Sequence, residues 1–236
     1  MYLDSTTILL LIGAAVTLLA SGFLHLTYNK YKFRPADNGY TGAEVVQAIL
    51  RSENISDVGI SQVSGDLTDH YDPRTKNVCL SQSVFNMHSI AAVAVAAHEC
   101  GHAIQHHEEY APLKFRSALV PYANIGSKLG IPIVLLGWYL GLDFHLSNGS
   151  VFSVAELGIW IFAIAILFQI VTLPVEIDAS NRALVILARE GILDGQELKG
   201  ARRMLTAAAL TYVAAAASAV LQMLRLILLN GRRSKR

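Results

Sequence analysis

From Ser5 to Asn29 the chain carries no Asp, Glu, Lys or Arg, and the centre of that stretch, Ile8–Leu26, is almost wholly apolar. As a helix it is long enough to cross a hydrocarbon layer of about 30 Å. A cleaved signal peptide would bring a basic leader and a small-residue cleavage site. Met1-Tyr2-Leu3-Asp4 has neither Lys nor Arg, so a retained anchor is expected. Lys30, Lys32 and Arg34 follow at once. By the positive-inside rule they put the downstream side in the cytoplasm and the N-terminus outside.

Composition supports an integral membrane protein. Charged residues make up 16% of the 236 positions, against about 25% in soluble proteins. Hydrophobic residues make up 53%, and the mean hydropathy is +0.42. A net charge of +1 gives no footprint for nucleic acid. Two cysteines, Cys79 and Cys100, do not make a disulfide framework.

Three further apolar stretches follow. Ser117–Leu142 contains Pro121, Pro132 and one charge, Lys128. Val151–Val175 is uncharged from Leu157 onward, and Met204–Leu229 carries only Arg225. The polar turn expected at Asp143–Ser150 has no Lys or Arg and fits the outside, so the third span returns to the side of residues 30–116. A fourth span would carry the basic tail Gly231–Arg236 outside, against the same rule, so either the last segment does not cross or the orientation is inverted. The expectation is therefore three to four transmembrane helices.

Between the first two spans lies Ser89-Ile-Ala-Ala-Val-Ala-Val-Ala-Ala-His-Glu-Cys-Gly-His102. Ser89 is a suitable N-cap, and the Ala/Val run after it has no Gly or Pro. On a helix, His98 and His102 share one face a turn apart, which suits two imidazole ligands of one Zn²⁺. Glu99 then stands where a carboxylate can take a proton from a metal-activated water. Gly101, kept inside a helix, implies a close neighbour. Cys100 faces away from the histidines and reads as a small apolar residue. His106 lies roughly on the histidine face, but a turn rises about 5.4 Å, too far for three ligands on one straight helix.

Upstream, Tyr40–Glu53 reads as a helix capped at Thr41, with an apolar stripe of Val45, Val46, Ile49 and Leu50. Val58–Val63 reads as a short strand. Asp66–Tyr71 and Asn77–Leu80, separated by the turn signal Asp72-Pro73, read as a hairpin. A strand beside a metal helix could offer its edge to an extended peptide, here along Val78–Leu80. His70 and Tyr71 would then lie near the site.

A zinc peptidase needs a third protein ligand and an open position for water, and two His with one Glu is a common set. Glu176 leaves the third span on the side of the histidines, at the start of a helix expected from Pro174 to near Gly191. Asp178 competes, but it sits on another face and four residues before Arg182, an ion-pair spacing. Leu193-Asp194-Gly195 would supply an aspartate ligand in an intramembrane zinc protease. Charged neighbours such as Arg189, Glu190 and Lys199 make a helix–loop–helix turn the better reading.

The runs Leu67-Thr-Asp-His-Tyr-Asp-Pro73, Leu80-Ser81, Ser89 through His106 and Leu173-Pro-Val-Glu-Ile-Asp-Ala-Ser-Asn-Arg-Ala183 together resemble the YugP-type neutral zinc metallopeptidases, bacterial membrane proteins of about this size. That family is similar to the HtpX-like membrane proteases, whose third ligand is a Glu followed by Ala at +3 and +7. Glu176, Ala179 and Ala183 fit; Ser180 stands where those proteases usually carry Asp. The resemblance covers nearly the whole chain.

The resulting expectation is a mainly α polytopic membrane protein with a gluzincin-like metallopeptidase core and a small β-hairpin or sheet. Its regions are an anchor (1–29), a metallopeptidase region (30–116), a transmembrane hairpin (117–175), a helical region with the third ligand (176–203), and a hydrophobic helix with basic tail (204–236). One Zn²⁺ per chain is held by His98, His102 and Glu176, with Glu99 as general base. His70, Tyr71 and His106 are candidates for contacting substrate or its oxyanion. The partners are a peptide or protein substrate and the lipid bilayer, and the site faces the cytoplasm of a bacterial cell membrane. The rival readings are a zinc-binding membrane scaffold without proteolysis and an intramembrane site-2-type protease using Asp194.

Overall fold

A long apolar run in lipid has to satisfy its own backbone, and the helix does this within one segment. The computed structural model describes residues 4–145 and 151–233. Four of its helices are long and apolar enough to cross a membrane: α1 (Thr7–Lys32), α5 (Ala111–Leu140), α6 (Val154–Arg189) and α7 (Gly195–Arg233). Leu18, Leu19 and Leu26 of α1 stand exposed on its surface, as lipid-facing side chains do. The second span starts earlier than expected from hydropathy, because the polar residues from Ala111 to Arg116 join the same helix.

The expected break between the third span and the Glu176 helix is absent. α6 runs through Pro174 without interruption. One proline removes one rung of the helical ladder, and the many rungs on either side keep the axis going. The end near Gly191 is as expected: Gly191 takes φ +62°, its N–H donates to the Ala188 carbonyl and that of Ile192 to Leu187. This is a Schellman closure, in which only Gly adopts the left-handed position without cost.

Asp143–Ser150, expected to be a turn, instead opens with a strand. β4 (Asp143–His145) pairs antiparallel with β5 (Val151–Ser153). Asn148 and Gly149 lie outside the described residues.

The chain divides into two compact units. One takes residues up to Leu19, Phe115–Thr172 and from Tyr212 onward; its core gathers Val134, Ile159, Phe162, Ile166 and Leu226. The other takes Ala20–Lys114 and Leu173–Thr211. It contains α2 (Gly42–Ser52), a three-stranded sheet, α3 (Gln82–Phe85) and α4 (Ile90–His107). Thr41 and Glu44 form the capping box that starts α2: the Thr41 hydroxyl accepts from the Glu44 N–H, and the Glu44 carboxylate accepts from the Thr41 N–H. The stripe expected on α2 is buried as read, with Val45, Val46 and Ile49 at 0% exposure.

In the sheet, β3 (Asn77–Ser81) lies between β1 (Gly59–Val63) and β2 (His70–Asp72). β2 and β3 make the expected antiparallel pair, while β1 joins β3 in parallel, Gly59 opposite Asn77. The core of this unit packs α2, β3, α4 and the second half of α6 through Ile49, Leu80, Val93 and Leu187, all fully buried. Each contributes about 1.5–3 kcal/mol by leaving water.

Candidate metal centre

Ser89 starts α4 by accepting from the Ala92 N–H at 3.2 Å. The helix then carries His98 and His102 on one face, ring centroids 4.8 Å apart and nearly perpendicular. α6 brings Glu176 to that face. Its Oε2 lies 3.3 Å from His98 Nε2 and 3.6 Å from His102 Nε2. Glu176 is only 3% exposed, and Glu99 and His102 are also buried.

The approach of α6 depends on small residues. A Cβ on Gly101 would run into the Ala179 carbonyl. Ala179 and Ala183, three and seven residues beyond Glu176, are both fully buried. The helices therefore meet backbone to backbone one turn from Glu176, which is the close neighbour that Gly101 implied.

A second layer fixes the imidazoles. Gln105, fully buried, spends both amide protons on the Val175 carbonyl and Asp178 Oδ2, each at 2.8 Å. Its Oε1 can then only accept, and it faces His102 Nδ1 at 3.0 Å. This places the proton of neutral His102 on Nδ1 and leaves Nε2 with a lone pair toward Glu176. His98 Nδ1 meets Ser180 Oγ at 3.1 Å, so Nε2 is likewise directed to the centre.

Two imidazole lone pairs and a carboxylate oxygen thus converge in a buried place, an arrangement only a positive charge holds together. Burial opposes charge on His102, yet the Glu176 hydrogen bond and the Glu99 and Glu176 charges outweigh it and raise its pKa. The three donor atoms lie within 4.8 Å of one another. Zinc with bonds of about 2.05 Å in a tetrahedron separates its ligands by about 3.4 Å, close to the two carboxylate contacts. The residues fit the metal, and the cluster is consistent with a zinc site.

Other candidates have different employment. Asp178 accepts from Arg182 Nε at 2.6 Å as well as from Gln105, and Arg182 also donates to Glu108. The Asp194 carbonyl accepts from Glu197 and Leu198 N–H, which starts α7. The carboxylate grouped with the two histidines among the described residues is that of Glu176. Cys100 is fully buried, and burial pushes its thiol pKa well up, so it behaves as an apolar residue.

The three residues singled out for substrate contact separate. Tyr71 hydroxyl and His106 Nδ1 are 2.7 Å apart at the edge of a cavity of about 230 Å³ that Asp57, Lys76 and His107 also line. Burial and the nearby Asp57 and Asp72 push the Tyr71 pKa up to about 12, so it is a proton donor at neutral pH. His70 is exposed and holds the Thr68 carbonyl through Nδ1. The expected docking of a peptide on Val78–Leu80 does not survive. β3 is the central strand and β1 pairs along its whole length, while Asp69 caps the far end through the Ser81 N–H and hydroxyl. The free edges are those of β1 and β2.

Sequence reasoning did not find Gln105 or the Ser180–His98 contact. The first was accessible, since Gln105 lies three residues past His102 on the same helix face. The second needed the packing of α6 on α4.

A family model described as "Putative neutral zinc metallopeptidase" matches residues 6–231. The chain is 43% identical over 207 residues, 87% of its own length and 88% of the relative's, to "Putative membrane protease YugP" of Bacillus subtilis (strain 168). No solved structure matches it.

Proposed function

The chain belongs to the neutral zinc metallopeptidase family, and on that premise we propose a membrane-embedded endopeptidase that cleaves peptide bonds with Glu99 as general base. The observation that carries this reading is the convergence of His98, His102 and Glu176, with Glu99, next to His98 in the chain, also buried. One zinc per chain, held by those three, would polarise the scissile carbonyl and acidify a water. The Glu99 carboxylate would accept a proton from the attacking water and return it to the leaving amine. Gln105 and Ser180 keep Nδ1 of each histidine occupied and its Nε2 toward the centre. Tyr71, kept protonated and held by His106, is the candidate donor to an oxyanion, a role in which a positioned donor is worth about 10²–10³ in rate. The substrate is a protein or peptide segment that reaches the cytoplasmic face of a bacterial cell membrane.

The test compares zinc content and peptide hydrolysis of detergent-purified wild type, Glu99→Gln and Glu176→Gln. The expected result is full zinc with activity lost in the first and weakened zinc in the second. Unchanged hydrolysis in Glu99→Gln would remove the proposed mechanism. Full zinc in Glu176→Gln would remove the third ligand. A zinc-holding scaffold without proteolysis would show no hydrolysis in any of the three.

A further inference from the structure

Away from the metal centre, α1 and α7 enclose a cavity of about 550 Å³. Lys30 of α1 and Arg202 and Arg203 of α7 line it, all three exposed. The ion pairs of this unit fall on Lys76, Lys114, Arg182 and Arg189; among the described residues no carboxylate pairs with Lys30, Arg202 or Arg203. The nearest aromatic contact of Lys30 is the Tyr31 ring, 5.7 Å from Nζ to centroid. Three cations without a carboxylate partner thus line one cavity.

The apolar part of the lining says which kind of anion would suit them. Leu26 and Phe23 lie one and two turns before Lys30 on the same face of α1, and both are exposed. They belong to the uncharged run that crosses the bilayer, which Lys30 terminates. Arg202 and Arg203 immediately precede the apolar run of α7 that begins at Met204. Both helices thus change from charged to apolar at this cavity, as they must at the headgroup level of a membrane. Gly200 closes the gap behind it: a Cβ there would come within 2.8 Å of the buried Tyr31 ring. Thr27 and Thr206 add a hydroxyl from each helix.

We propose that Lys30, Arg202 and Arg203 bind the phosphate of an anionic phospholipid between α1 and α7, with its acyl chain along Phe23 and Leu26. A free phosphate would use the cations but leave the apolar side without an occupant. Basic pockets between transmembrane helices are suited to anionic headgroups in general. A cation near an anionic lipid surface is worth about fivefold in affinity, so three are worth roughly a hundredfold.

The test titrates the full-length, detergent-purified protein with phosphatidylglycerol and, separately, with phosphatidylcholine of the same acyl chains, counting bound lipid by native mass spectrometry. One phosphatidylglycerol per chain should bind in preference to phosphatidylcholine. The triple variant Lys30→Gln/Arg202→Gln/Arg203→Gln should lose roughly a hundredfold in that affinity, and Arg203→Gln alone about fivefold. Arg74→Gln, which removes a charge from the turn after β2, should change nothing. Zinc content equal to wild type shows that the variants fold. Equal binding of both lipids, or unchanged phosphatidylglycerol binding in both cavity variants, overturns the proposal. So does an equal loss in Arg74→Gln, which would indicate bulk charge. Displacement of the lipid by millimolar inorganic phosphate would make this an anion site only and overturn it as a lipid site.

Discussion

The hydroxyl of Ser180 meets His98 Nδ1 at 3.1 Å. A hydroxyl accepts the imidazole proton but adds no charge, so it orients the ring without making Nε2 as basic as a carboxylate would. Removing partners of metal-bound histidines typically costs 10–100-fold in metal affinity. Ser180→Ala should therefore weaken zinc binding by about that factor, and Ser180→Asp should hold zinc at least as tightly as wild type. Competition with a zinc-binding dye measures both. Glu99→Gln tests the other residue-scale assignment: turnover should fall by about 10²–10⁴ with zinc retained, because only proton transfer is lost. The grouping of His98 and His102 with Glu176 was legible in the sequence because the i, i+4 spacing puts the histidines on one helix face and the order of the spans returns Glu176 to their side. Gln105 acts through an amide that also reaches Val175 and Asp178 on α6, and no one-dimensional pattern displays that.

The contact of α4 with α6 is the element-scale device that brings Glu176 to the histidines. Gly101 is its weakest point by propensity and its strictest by sterics. Gly101→Ala would gain up to about 1 kcal/mol of helix propensity. The added Cβ, however, meets the Ala179 carbonyl, which is backbone and cannot rotate away. Overpacking of that kind costs about 1–3 kcal/mol, so the loss wins. The variant should unfold at lower denaturant than wild type in the presence of chelator, and its zinc content should fall as α6 is pushed from α4. A stabilised variant with full zinc would mean that the helices are not in contact there. Elements themselves were largely readable. Thr41 marked the start of α2, Ser89 that of α4 and Gly191 the end of α6. Two things were not. Pro174 reads as a boundary in isolation, but one missing rung does not break α6. The parallel pairing of β1 with β3 is a long-range choice, and it makes the strand expected to bind substrate the centre of the sheet.

For the whole molecule, the charge at the ends of the spans predicts which side of the membrane the site faces. Lys30, Lys32, Arg34, Lys114 and Arg116 flank the first two spans on the side of residues 33–110, and Arg189, Lys199, Arg202 and Arg203 surround the α6–α7 connection. Residues 141–153, between the second and third spans, contain no Lys or Arg. Four crossings put all of that positive charge on one side, with the metal residues, and leave only the basic C-terminal tail on the other. The flanking charge of the early spans dominates orientation, so the metal site should be cytoplasmic and the tail outside. Native Cys79 and Cys100 are both buried, which keeps the background of a thiol-labelling experiment low. In intact cells a membrane-impermeant maleimide should label Phe144→Cys and Lys235→Cys, and should reach Arg74→Cys only after permeabilisation. Labelling of Arg74→Cys alone would invert the orientation. Labelling of Phe144→Cys without Lys235→Cys would mean that α7 does not cross, and the basic tail would then obey the same rule as every other cation in the chain.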